Sequence, residues 1–132
     1  MANVTAAVTI TSTDLLTDSL SSAVTKTITA TATTGLARRP ITSTAVGTAS
    51  GQVTLYTADD FAAIAYIFIK NTDTTATDYI YVFDDSTSGD PQILKLAGGD
   101  WAFMPTVADK TLKAFATTSG TVVEWMVFGT DQ

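Results

Sequence analysis

The sequence predicts an all-β chain: an antiparallel β-sandwich or jelly-roll-like barrel with an extended Thr/Ala-rich N-terminal section. Three observations lead there. Apolar and polar residues alternate with period two over much of the 132 residues, short runs rich in Val, Ile, Thr, Tyr and Phe are bounded by Gly, Pro, Asn and Asp, and no stretch sustains a helical period. A content of 45% hydrophobic and 15% charged residues is enough to bury a core in about one domain.

Composition divides the chain. It holds 27 Thr and 9 Ser; 15 of those Thr fall in residues 1–55, while all twelve aromatic residues lie between Tyr56 and Phe128. Aromatic side chains supply much of the buried area in small domains. Residues 52–132 are therefore expected to form the compact sandwich, and residues 1–51 an arm or added strands.

The elements follow in order. Val4, Ala6, Val8 and Ile10 alternate with Thr5, Ala7, Thr9 and Thr11, the pattern of a half-buried strand. Thr13-Asp14-Leu15-Leu16-Thr17-Asp18 reads as a loop or short turn. A second ribbon sets Thr25, Thr27, Thr29, Thr31 and Thr33 against Val24, Lys26, Ile28, Ala30 and Ala32. Threonine is β-branched and tolerates water, so such a face needs no charge to stay soluble. Gly35, Pro40 and the Gly47 to Gly51 stretch interrupt the chain, and Pro40 bars a central strand there. Further strands are predicted over Gln52–Thr57, Ala62–Asn71, Asp78–Asp84, Gln92–Ala97, Trp101–Met104, Thr111–Ala116 and Thr121–Gly129. Several are apolar on both faces: Tyr66 and Phe68 oppose Ile67 and Ile69, and Tyr81 and Phe83 oppose Ile80 and Val82. One core cannot use both faces, so the second must meet the front section or another copy, and a homo-oligomer is expected.

Several function classes lose support. With no Cys and no His, thiol chemistry, disulfides, imidazole bases and His/Cys metal cages are excluded. A formal charge of −6 opposes binding to nucleic acid or anionic membranes. The longest apolar run, Phe61 to Ile69, is about half the ~20 residues a membrane helix needs. Met1 to Thr5 lacks a basic, apolar leader pattern, so synthesis in a cytoplasm is expected. Asn3-Val4-Thr5 reads as a chance sequon.

No catalytic, cofactor-binding or metal-ligating residue is assigned. The oxygen-rich loop with Asp84, Asp85 and Asp90 would suit a hard cation, but it lacks regular ligand spacing and reads as a solvated turn. Asp59-Asp60 likewise reads as a turn, and no cleft selects a carboxylate pair from the twelve Asp. Glu124 would pair with Lys70, Lys95 or Lys113, or stay at an edge. The threonine row resembles those of ice-binding proteins, but without their repeats. Residues expected to contact a partner are Val4, Val8, Ile10, Thr25, Thr27, Thr29, Arg38, Arg39 and Trp101, with Arg38-Arg39 suited to carboxylates and Trp101 to an interface or the core.

The segments Tyr66 to Thr72, Asp78 to Val82, Leu94 to Pro105 and Gly120 to Phe128 together resemble the small β-sandwich virion structural proteins of tailed bacteriophages. The resemblance spans roughly residues 62–129 and implies a noncatalytic capsid decoration or cement protein. It also implies the partners: the major capsid protein, and itself, with a trimer favoured. The location it implies is the virion surface. Two alternatives stay open: a tail or head-fibre component, and a carbohydrate-binding module stacking sugars on Trp101, Tyr79 or Tyr81.

Overall fold

The computed structural model describes residues 2–13, 20–47 and 50–131. Eleven strands follow in order: β1 (Ala2–Ser12), β2 (Leu20–Ala30), β3 (Ala32–Thr33), β4 (Ala37–Ile41), β5 (Val53–Tyr56), β6 (Ile64–Asn71), β7 (Ile80–Asp84), β8 (Gln92–Leu96), β9 (Trp101–Val107), β10 (Leu112–Ala116) and β11 (Thr121–Gly129). All pairings are antiparallel, and the described residues contain no helix. The turn expected at Thr13 to Asp18 lies, beyond Thr13, outside the described residues.

The pairing of β4 to β11 follows one rule. β4 pairs β11, β5 pairs β10, β6 pairs β9 and β7 pairs β8, so residues 37–84 and 92–129 form the two legs of one long antiparallel ribbon. That ribbon is rolled up, and the β11–β6 and β10–β7 pairings join its successive turns. The result is two four-strand layers, β4-β11-β6-β9 and β5-β10-β7-β8. Eight strands wound in this order make a double-Greek-key jelly roll. The layers stay distinct, a sandwich rather than a closed barrel.

The core lies between them. Ala65, Ile67 and Ile69 of β6 and Val123, Trp125 and Val127 of β11 meet Ile80 and Val82 of β7 and Leu112, Ala114 and Ala116 of β10, all buried. Each larger aliphatic side chain there stabilises the fold by about 1.5–3 kcal/mol. Two polar groups stitch the layers together. Trp125 Nε1 donates to the Leu55 carbonyl at 2.9 Å. Asn71, fully buried, donates to the Asp78 carbonyl at 2.7 Å and the Leu96 carbonyl at 3.2 Å, and accepts from the Asp73 N–H at 3.1 Å. Nearby, Gly98 packs so tightly on the Thr75 carbonyl that a Cβ would overlap it.

The front section contributes to this body as well as extending from it. β3 and β4 are one bent edge strand along β11, and Ile41 is fully buried in the core. The bend falls at Thr34 and Gly35, where φ is +70° at Gly35, Thr34 N–H donates to Val127 O at 2.9 Å, and Val127 N–H donates to Thr34 Oγ1 at 3.0 Å. Glycine supplies the positive φ at little steric cost. Pro40 sits on this edge, where its missing N–H breaks no ladder. The β9 strand runs past the predicted Met104 through Pro105 to Val107, because it too is an edge.

Candidate interaction surface

β1 and β2 form a separate two-stranded ribbon in unbroken register, from Ala2 opposite Ala30 to Ser12 opposite Leu20. Eleven residues at about 3.3 Å each make it roughly 35 Å long. It is rooted beside β11, where Thr31 N–H donates to Gly129 O at 2.8 Å and Asp131 N–H donates to Thr31 Oγ1 at 2.7 Å.

Alternation gives the ribbon two unlike faces. Thr5, Thr9, Thr11, Thr25, Thr27 and Thr29 are exposed on one, where Thr29 Oγ1 donates to Asn3 Oδ1 at 3.3 Å. The threonine row ends there, since Thr31 links β2 to β3 and Thr33 belongs to the strand along the β11 edge. The other face lies over the outer side of the β4-β11-β6-β9 sheet. Ile28 and Ala30 are buried against Tyr66 and Phe128, with Val4, Phe103 and Met126 packed around them. Tyr66, Phe103 and Phe128 stand almost parallel, with ring centroids 6.0–6.1 Å apart. Lys26 Nζ lies 5.4 Å from the Tyr66 ring centre. The second apolar face of β6 thus meets the front section of its own chain.

That cover is partial. Towards the far end of the ribbon Val8 is half-buried, Ile10 is 57% exposed and Val24 65%. Beside β1 an open cleft of about 280 Å³ is lined by Val4, Ala6 and Val8 above and Phe68, Trp101 and Phe103 below. Trp101 is 54% exposed at the start of β9, so it is a surface residue, while Trp125 takes the core position. Arg38 and Arg39 are exposed on β4, across the sheet from Trp101 by three strand spacings, roughly 14 Å. Glu124 lies in register between Lys70 and Arg38. The nine expected contact residues therefore spread over three places: Val4, Val8, Ile10 and the Thr residues on the ribbon, Trp101 at one sheet edge and the two Arg at the other.

The outer side of the β5-β10-β7-β8 sheet carries a second aromatic group. Tyr81 stacks on Phe115 at 5.1 Å, Tyr79 lies 6.5 Å from Tyr81, and Lys95 Nζ sits 3.8 Å from the Tyr79 ring centre. The ammonium lies over one face of the Tyr79 ring, a cation–π contact.

The acidic loop is satisfied internally. Asp84 is buried and accepts from Ser86 N–H at 2.9 Å, from the Ser86 hydroxyl, and from Thr87 Oγ1 at 2.6 Å, with Lys110 Nζ at 3.5 Å. Burial pushes its pKa up, but those hydrogen bonds and Lys110 outweigh it and hold the carboxyl at about 2. Asp85 pairs with Lys113 at 2.6 Å, and Asp90 closes the turn with φ +45°. The lysines and hydroxyls thus engage oxygens of Asp84 and Asp85, and no group of three acidic ligands gathers among the described residues. Asp60 caps its own turn by accepting from Thr57 N–H at 2.7 Å.

Sequence reasoning placed Asn71 as the last residue of a predicted strand, without its buried amide, and overlooked the exposed Val107 on β9. The asparagine's signal was its place at the end of an apolar run, where a buried amide joins strand to turn. Comparison with protein-family models, curated proteins and solved structures returned no match.

Proposed function

We propose that this chain is a noncatalytic virion structural protein, a capsid decoration protein that self-associates and stabilises a shell by binding major capsid subunits. One observation carries the reading: a ribbon roughly 35 Å long whose apolar face is covered only in part, leaving Ile10 and Val24 exposed. A two-stranded ribbon is marginal in water without a packing partner. Jelly rolls serve in viral capsids, which agrees with the reading, but they also serve as lectins, so the ribbon rather than the fold supports it. Strand addition to a neighbouring subunit would supply the missing partner through backbone hydrogen bonds and pockets for alternate side chains.

The test is co-sedimentation of the full chain with intact particles. Close to one copy per capsid subunit supports a shell-wide decoration, whereas a few copies per particle point to a tail or fibre component and no binding refutes the reading. A variant lacking residues 2–30 is expected to lose occupancy; unchanged occupancy would remove the arm from the mechanism. A carbohydrate-binding role keeps one supporting feature, the exposed Trp101, and glycan binding abolished by Trp101→Ala without any affinity for particles would favour it.

A further inference from the structure

We propose that two copies of the chain join edge to edge through β1, antiparallel about a twofold axis at Ala7. The proposal builds on the arm as a docking element but not on any shell.

The edges of the molecule differ in how they are protected. A bare strand edge invites pairing, and natural proteins block it with charge, proline or brevity. In the body, β4 carries Arg38, Arg39 and Pro40, β9 carries Pro105, β8 carries Lys95, and β5 has only four residues. In the ribbon, β2 carries Lys26. β1 has none of these devices: its eleven residues contain no charge, proline or glycine, its register is unbroken, and among the described residues its second edge pairs with no strand.

The strand is also complementary to itself. Pairing about Ala7 sets Val4 against Ile10 and Ala6 against Val8 on the apolar face, and Thr5 against Thr9 and Asn3 against Thr11 on the hydroxyl face. No residue changes face, as period-two register requires. Charge permits this edge above the others: two chains at −6 repel each other, and pairing through β1 brings no like charges opposite one another.

The twofold also resolves two exposures at once. An antiparallel partner places its exposed Ile10 beside the docked Val4, on the side where the cleft floor of Phe68, Trp101 and Phe103 lies open. Within one molecule Ile10 is not among the residues that line that cleft and stays exposed. In the pair each copy's ribbon end covers the other's cleft, and two marginal ribbons become one four-stranded sheet.

The chain has no cysteine, so crosslinking reads register directly. The full chain is expected to have twice its monomer mass by light scattering at high concentration. Ala7→Cys should form a covalent dimer on oxidation, since directly opposed residues lie about 4.5–5.5 Å apart between Cα atoms. Thr11→Cys alone should not, whereas Asn3→Cys mixed with Thr11→Cys should. Ala7 is exposed, so Ala7→Lys and Ala7→Glu should fold, as circular dichroism will show, yet be monomeric singly and dimerise when mixed. A native chain that stays monomeric or forms a trimer overturns the proposal, as does crosslinking by Thr11→Cys alone at the rate of Ala7→Cys. A monomer that still decorates particles would refute the twofold and leave the shell reading standing; a β1-linked dimer that ignores particles would do the reverse.

Discussion

The ribbon and the jelly-roll body use the same alternating strand pattern and end in opposite physical situations. In the body, β6 and β11 bury one face in the inter-sheet core, and on the other carry Tyr66 and Phe128, which pack with Phe103 of β9 beneath the ribbon. In the ribbon, one face is all hydroxyl and small side chains, and the other is covered only near its root. Alternation therefore specifies a strand but says nothing about what will cover it. Size of the apolar side chains decides that: all twelve aromatics belong to the body, and the ribbon has only aliphatic residues to offer.

The largest effect should come from breaking the body. Trp125→Ala removes a buried indole and its hydrogen bond to Leu55, and should cost about 3–5 kcal/mol in urea denaturation. Asn71→Ala leaves the Asp78 and Leu96 carbonyls and the Asp73 N–H without their partner, for a loss of about 2–3 kcal/mol. Asp84 offers a pH test. Its carboxyl is held at about 2, below the ordinary 3.8, so its contribution is complete above about pH 4 and is lost as pH falls through 2. Asp84→Asn should remove roughly 2 kcal/mol of stability at neutral pH and flatten the acid dependence between pH 4 and 2. At the small end, Ile10→Ser and Val24→Ser in the ribbon should shift monomer stability by less than about 0.5 kcal/mol, because both side chains are already in water. The same two changes should weaken self-association. A ribbon substitution that cost as much as Trp125→Ala would erase the distinction between the two regions.

Strand positions were largely legible because they are local. Gln52–Thr57, Thr111–Ala116 and Thr121–Gly129 were expected within a residue of β5, β10 and β11, and the two Thr/Ala stretches became the ribbon. Strand order was not legible, since pairing β4 with β11 joins residues some eighty positions apart and no local pattern records that choice. The burial of Ile41 was missed for the same reason: a residue in a Thr-rich stretch becomes core only once β4 joins the β11 edge. Of the expected contact residues, the ribbon's Val4, Val8 and Ile10 followed from alternation, and the outward placement of Trp101 did not. Trp101 and Trp125 both lie in β-strands with alternating neighbours, and only the sheet's position relative to its partner layer tells outside from inside.

The central claim is that the body is complete in one chain and the far half of the ribbon is not. Amide hydrogen exchange on the native chain, dilute and then concentrated or mixed with particles, tests it most directly. Strong protection is expected at Ile67–Ile69 and Val123–Val127 throughout, and fast exchange over Thr5–Thr11 when dilute that slows markedly on association. Protection over Thr5–Thr11 equal to that of the body in the dilute monomer, or unchanged on association, would contradict it.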